Sequence, residues 1–101
     1  MSSAKIKFEG SEKFILKLYV TGMSMSSLRA IENIKDICEE HLQDRYTLDI
    51  VDIYKFPDTM YENNIIASPT LIKHAPQPFK KLLGDLSNRN KVLAALGIIT
   101  E

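Results

Sequence analysis

Apolar residues fall in short blocks whose spacing alternates between strand-like and helix-like. FILKLYV, Phe14 to Val20, is interrupted only by Lys17, the pattern of a strand in the middle of a sheet with both faces covered. Thr21 and Gly22 end it. Leu28, Ile31, Ile34, Ile37 with Cys38, and Leu42 then recur at intervals of three and four, which predicts an amphipathic helix of about four turns. Ser24, Ser26 and Ser27 are candidates for its N-cap, because a serine oxygen can accept a hydrogen bond from a first-turn N–H. YTLDIVDI, Tyr46 to Ile53, is rich in branched residues and predicts a second strand. A strand, a helix and a strand in so short a span make a right-handed unit with parallel strands.

The second half continues the alternation. Pro57 suits a first helical position, where no N–H is needed, and predicts a short helix over Asp58 to Asn64. Thr70 to His74 and Phe79 to Leu83 are brief apolar runs joined by Ala75-Pro76-Gln77-Pro78, the layout of a hairpin with its prolines in the connection. Gly84 and Asp85 turn the chain, Ser87 can cap, and Val92, Leu93, Leu96 and Ile99 give the apolar face of a last helix. The order βαβαββα is that of a thioredoxin-like α/β domain with a mixed four-stranded sheet. Residues 1–13, MSSAKIKFEGSEK, are mostly polar and are expected to form a flexible tail before a single domain over 14–101.

Charge and chemistry narrow the function. Thirteen Lys and Arg balance thirteen Asp and Glu, so no overall field favours a nucleic acid backbone. Tyr19, Tyr46 and Tyr54 lack the motif of an RNA-binding sheet. No apolar run approaches the roughly 20 residues of a membrane span, and no signal peptide is expected. The single cysteine, Cys38, suits a reducing compartment, so a cytoplasmic protein is expected. A thioredoxin needs C-x-x-C where its first strand meets the helix, because the helix N-terminus activates one thiol and the second resolves the mixed disulfide. Here that stretch reads Met23-Ser24-Met25-Ser26-Ser27, which cannot exchange disulfides. Cys38 falls on the apolar helix face and is expected to pack as a small hydrophobe. His41 and His74 have no ligand or base at useful spacing, so no catalytic residue, metal or cofactor is expected.

The segments LKLYVTG (16–22), RAIENI (29–34), DIYKFP (52–57), IIASPTLIK (65–73) and KKLLGDLSNRNKVL (80–93) together resemble the KaiB family of bacterial circadian-clock proteins. LLGDLSNR (82–89) and the ASPT at 67–70 are the most specific pieces. The resemblance implies a non-enzymatic adaptor that binds a KaiC-type ATPase in circadian or stress and fitness regulation. KaiA or a sensor histidine kinase would be further partners, and a homo-oligomer is left open. The alternative is a thioredoxin-like oxidative-stress protein without a dithiol. Surface cations would meet the partner, with Arg29, Lys73, Lys80, Lys81 and Arg89 as candidates. The sequence departs from cyanobacterial members at Asn63 and Asn64, where those usually carry Asp-Lys, a lysine that contributes to KaiC binding. Pro69, before the third strand, stands where the thioredoxin fold has its cis-proline. The family also implies a second, tetrameric fold ordered βαββααβ. Ala95 and Gly97 are expected to decide between the two, since cyanobacterial members carry glycine and aspartate there. Alanine favours helix over glycine by roughly 1 kcal/mol, so this chain is expected to rest in the thioredoxin-like fold.

Overall fold

The computed structural model describes residues 13–62, 65 and 69–98. Its elements are β1 (Phe14–Val20), α1 (Met25–Ile37), a π-helical turn (Cys38–Leu42), β2 (Tyr46–Asp52), α2 (Asp58–Glu62), β3 (Thr70–Ala75), β4 (Lys80–Leu83) and α3 (Arg89–Leu96). The sheet order is β2-β1-β3-β4. β1 runs parallel to β2 and antiparallel to β3, which in turn pairs antiparallel with β4. The expected βαβαββα order and mixed sheet are therefore present.

β1 is hydrogen-bonded on both edges; one face is covered along its length and the other at Tyr19, while Ile15 on that second face is exposed and Lys17 half-buried. Leu16, Leu18 and Val20 point into the larger core with Ala30, Ile34, Ile37, Val92, Leu93 and Leu96 from α1 and α3. Tyr19 points the other way, into a smaller cluster with Ile53, Ile65 and Ile72, against which Met60 of α2 packs. Burying each large aliphatic side chain stabilises the fold by roughly 1.5–3 kcal/mol.

The expected apolar face is present at Ile34, Ile37, Cys38 and Leu42, which are buried, and at Ile31, which packs against the core, but the first turns of α1 differ. Ser27, Ala30, Ile34 and Ile37 are buried, whereas Leu28 is exposed. Small side chains at 27 and 30 let the helix start approach the sheet, and the spacing of three and four is kept with its origin shifted by one residue. Ser24 is the N-cap, its Oγ accepting from Ser27 N–H at 3.2 Å. The helix widens into the π turn, where Gln43 N–H donates to the Cys38 carbonyl at 2.8 Å.

α2 is short and buries none of its residues; Asn63 and Asn64 lie outside the described residues. β3 runs one residue further than expected and β4 starts one later, leaving Phe79 outside the strand with its ring edge-on to His74 at 5.6 Å between centroids. Asn88, not Ser87, caps α3 by accepting from Lys91 N–H at 3.2 Å. The Ser87 N–H donates to Asp85 Oδ1 at 3.1 Å in the turn before the helix. The expectation of a cis bond at Pro69 involves Ser68 and so lies outside the described residues. Among those described, the cis bonds are Ala75–Pro76 and Gln77–Pro78.

Residues 91–96 are helical, and Gly97 ends α3 as expected of a C-cap. Its φ is 79°, and Gly97 and Ile98 N–H groups return to the carbonyls of Ala94 (3.1 Å) and Leu93 (2.9 Å). A left-handed residue closing a helix in this way favours glycine. Ala95→Gly with Gly97→Asp should weaken α3 at both points, by about 1 kcal/mol for the alanine alone. The double variant should therefore populate the βαββααβ order implied by the family resemblance. Slowly exchanging NMR resonances and a larger species on size exclusion would report it; one set of peaks matching the parent would contradict it.

Candidate partner-binding surface

The C-terminal ends of β1 and β2 carry the two loops that correspond to a thioredoxin's working end. Where a dithiol would stand, hydroxyls form a closed network. Ser24 O–H donates to Ser27 Oγ at 2.7 Å, and Thr21 N–H donates to the same oxygen at 3.1 Å. Ser27 is buried, so this network fixes the loop from beneath. The second loop is tied to the first by Asp52, whose Oδ1 accepts from Gly22 N–H at 3.2 Å and from Tyr54 N–H at 2.9 Å. Gly22 has φ 59°, and a Cβ there would sit 3.6 Å from the Tyr54 ring. The positive φ is what favours glycine in this turn.

The loops so joined expose an unusual amount of apolar surface. Met23 is 78% exposed, Met25 66%, Tyr54 74%, Phe56 58% and Tyr61 84%. Rigidly seated aromatics and adaptable methionines are the side chains that most often anchor protein interfaces. The sequence reading overlooked this group because its members obey no helical or strand period. The signal that was available is large apolar residues in and beside the two loops, with no core position to explain them.

The expected cations do not gather on one surface. Arg29 is exposed on α1 and lies close enough to Asp85 to help hold its carboxyl below the usual range, although hydrogen bonding from Ser87 is the larger cause. Lys80 and Lys81 are exposed on the edge strand β4 but, as consecutive strand residues, point to opposite faces of the sheet. Arg89 is paired with Glu40 of the π turn. Lys73 is a correction. It is 2% exposed, its Nζ donating to the Leu96 carbonyl at 3.2 Å and lying 5.9 Å from the centre of the Phe14 ring. Alternation along β3 places it beneath α3, so in this fold it cannot meet a partner. Ala95 is half-buried in α3 and Gly97 exposed.

Cys38 is wholly buried in the larger core. Burial pushes its thiol up to about 12, with the neighbouring charge of Glu39 adding to the effect. A thiolate is the reactive form, and this thiol is neutral at physiological pH. Among the described residues no group of His, Cys, Asp and Glu could hold a metal ion, and no helix is long and apolar enough to cross a membrane.

The family model for the KaiB domain matches residues 17–98. The circadian clock protein KaiB3 of Synechocystis sp. is 44% identical over 89 residues, covering 88% of this chain and 87% of that protein. The circadian clock oscillator protein KaiB of Microcystis aeruginosa is 44% identical over 88 residues, covering 87% and 85%. Among solved structures, the N-terminal domain of Synechococcus elongatus SasA superposes with a TM-score of 0.69 at 20% identity, covering 85% of each chain. The Drosophila melanogaster thioredoxin Deadhead does so at 0.67 and 12% identity, covering 92% and 89%. At such identities these two neighbours speak for a shared thioredoxin-like fold.

The buried thiol has a measurable signature. Its folded value of about 12 lies above the ordinary 9.0, so its contribution to stability is fully present below pH 9 and is lost as pH rises towards 12. Cys38 should resist a thiol-reactive dye at neutral pH until denaturant is added, and Cys38→Ser should flatten the alkaline limb of the stability curve. Complete labelling of the native protein on mixing would contradict its burial.

Proposed function

Because the chain belongs to the KaiB family, we propose that it is a non-enzymatic, cytoplasmic adaptor that binds a KaiC-type ATPase in circadian or stress and fitness regulation. The observation that carries this reading is the loop end. It keeps a thioredoxin's scaffold, fills the dithiol position with internally bonded serines, and surrounds it with exposed Met23, Met25, Tyr54 and Phe56. Such an end recognises a surface and has no group with which to transfer electrons. Arg29 lies on the same helix as Met25 and supplies charge at the rim, with Lys80, Lys81 and Arg89 as more distant contacts. KaiA or a sensor histidine kinase would engage the assembled complex as further partners. The names of the Synechocystis and Microcystis relatives support the clock setting.

The alternative of an oxidative-stress protein acting through Cys38 finds no support in the thiol's burial and raised pKa. Calorimetric titration of the KaiC-type ATPase from the same genome tests the proposal. Association is expected, with Tyr54→Ala or Phe56→Ala each weakening it by about 2 kcal/mol as interface anchors, and Arg29→Ala by about 1 kcal/mol. Binding that is absent in every nucleotide state would refute the partner. Binding that survives both aromatic substitutions would refute the surface.

A further inference from the structure

The loop end that lacks a dithiol still carries sulfur. Among the described residues the sulfur-bearing side chains are Met23, Met25, Cys38 and Met60, and the fold sorts them by access. Cys38 is fully buried in the larger core, and Met60 is half-buried against the smaller one. Met23 and Met25 are 78% and 66% exposed, on either side of the capping Ser24.

The bonding of the loop keeps both outside. Before Met23, the Gly22 N–H donates to Asp52 Oδ1 at 3.2 Å. Between the two methionines the Ser24 hydroxyl turns inward to Ser27 Oγ at 2.7 Å, and the Ser24 carbonyl accepts from Leu28 N–H at 2.9 Å. The backbone is thus tied down next to each thioether. Met25 and the exposed Leu28 stand three residues apart on α1, so they share a helix face and continue the apolar surface of Tyr54 and Phe56.

We infer that Met23 and Met25 form a reversible oxidation site through which hydroperoxides block binding at the loop end, an inference that rests on the partner-binding role proposed above. A thiol reacts as its thiolate, whereas a thioether has no proton to lose and needs only access. Its sulfur lone pair attacks one oxygen of the hydroperoxide. The S–O bond forms as the O–O bond breaks, the proton of the transferred oxygen passes to the departing one, and water or an alcohol leaves. Sulfur is oxidised by two electrons and the peroxide is reduced by two. The sulfoxide is polar, and burying it against an apolar partner surface costs its hydration. A methionine sulfoxide reductase reverses the step, the oxygen leaving as water while a dithiol becomes a disulfide. The thioethers take up oxygen and hand no electrons to another protein, so the site gates recognition and is no redox catalyst.

Treating the full chain with hydrogen peroxide, mapping its peptides by mass spectrometry and titrating the peroxide-free product against the KaiC-type ATPase tests the site. Met23 and Met25 should each gain one oxygen at least about threefold faster than Met60, with the amide NMR spectrum unchanged away from the loop end. The oxidised chain should bind at least about tenfold more weakly, and the reductases MsrA and MsrB with a dithiol should restore both mass and affinity. Cys38→Ser should lose affinity on treatment as the parent does, whereas Met23→Leu with Met25→Leu should bind equally before and after it. Met60 oxidised as fast as the other two, loss of the folded spectrum, or a loss of affinity that persists in the double leucine variant overturns the inference. Untreated and oxidised chains that bind alike refute the gate alone. Absent binding by the untreated chain refutes the proposed partner, and the gate with it.

Discussion

Every layer of this domain follows from the demands of β1. A strand hydrogen-bonded to β2 on one edge and β3 on the other has to bury Leu16, Leu18 and Val20 on one face and Tyr19 on the other, leaving only the start of that second face, at Ile15, to water. One face is met by α1 and α3, and the other by the cluster around Ile53, Ile65 and Ile72. The right-handed crossover through α1 is the connection that lets β2 lie parallel beside β1. The loops after β1 and β2 meet at one end, where Asp52 binds both.

Lys73 shows how that closure places a charge inside. It occupies a core-facing position of β3, and an ammonium there requires hydrogen-bonding and electrostatic partners. The Leu96 carbonyl, one of the last in α3, is such a partner, and a cation is favoured at a helix C-terminus by the helix dipole. The lysine therefore joins β3 to the end of α3, beside the left-handed Gly97 that closes the helix. The segment whose helical state distinguishes the two folds implied by the family is thus held at its C-terminal end by a residue of the sheet.

The sequence made the architecture legible because periodicity and turn chemistry agree along most of the chain. The apolar run of β1, the branched residues of β2 and the proline-bearing hairpin connection all lie in the elements they indicate. Local details escaped where tertiary contacts outweigh pattern. Ser27 and Ala30 are buried while Leu28 is exposed, since proximity of the helix to the sheet favours small residues. Asn88 and not Ser87 caps α3, since both are cap-forming residues side by side and pattern alone does not choose between them. A lysine in a TLIK run looks like a surface charge until strand alternation and the position of α3 are known. The candidate interface was the least legible part: Met23, Tyr54 and Phe56 come from two loops, and Met25 from the first position of α1, which only the parallel pairing of β1 and β2 brings together.

The account's central claim is that a thioredoxin scaffold without thiol chemistry uses its loop end for recognition. Methionine methyl NMR of the complex with a KaiC-type ATPase tests this most directly, because Met23 and Met25 lie in that surface while Met60 packs against the smaller core. The Met23 and Met25 signals should shift or broaden on binding, with Met60 little changed. A complex that forms while the Met23 and Met25 methyls keep their free positions and linewidths would contradict the account.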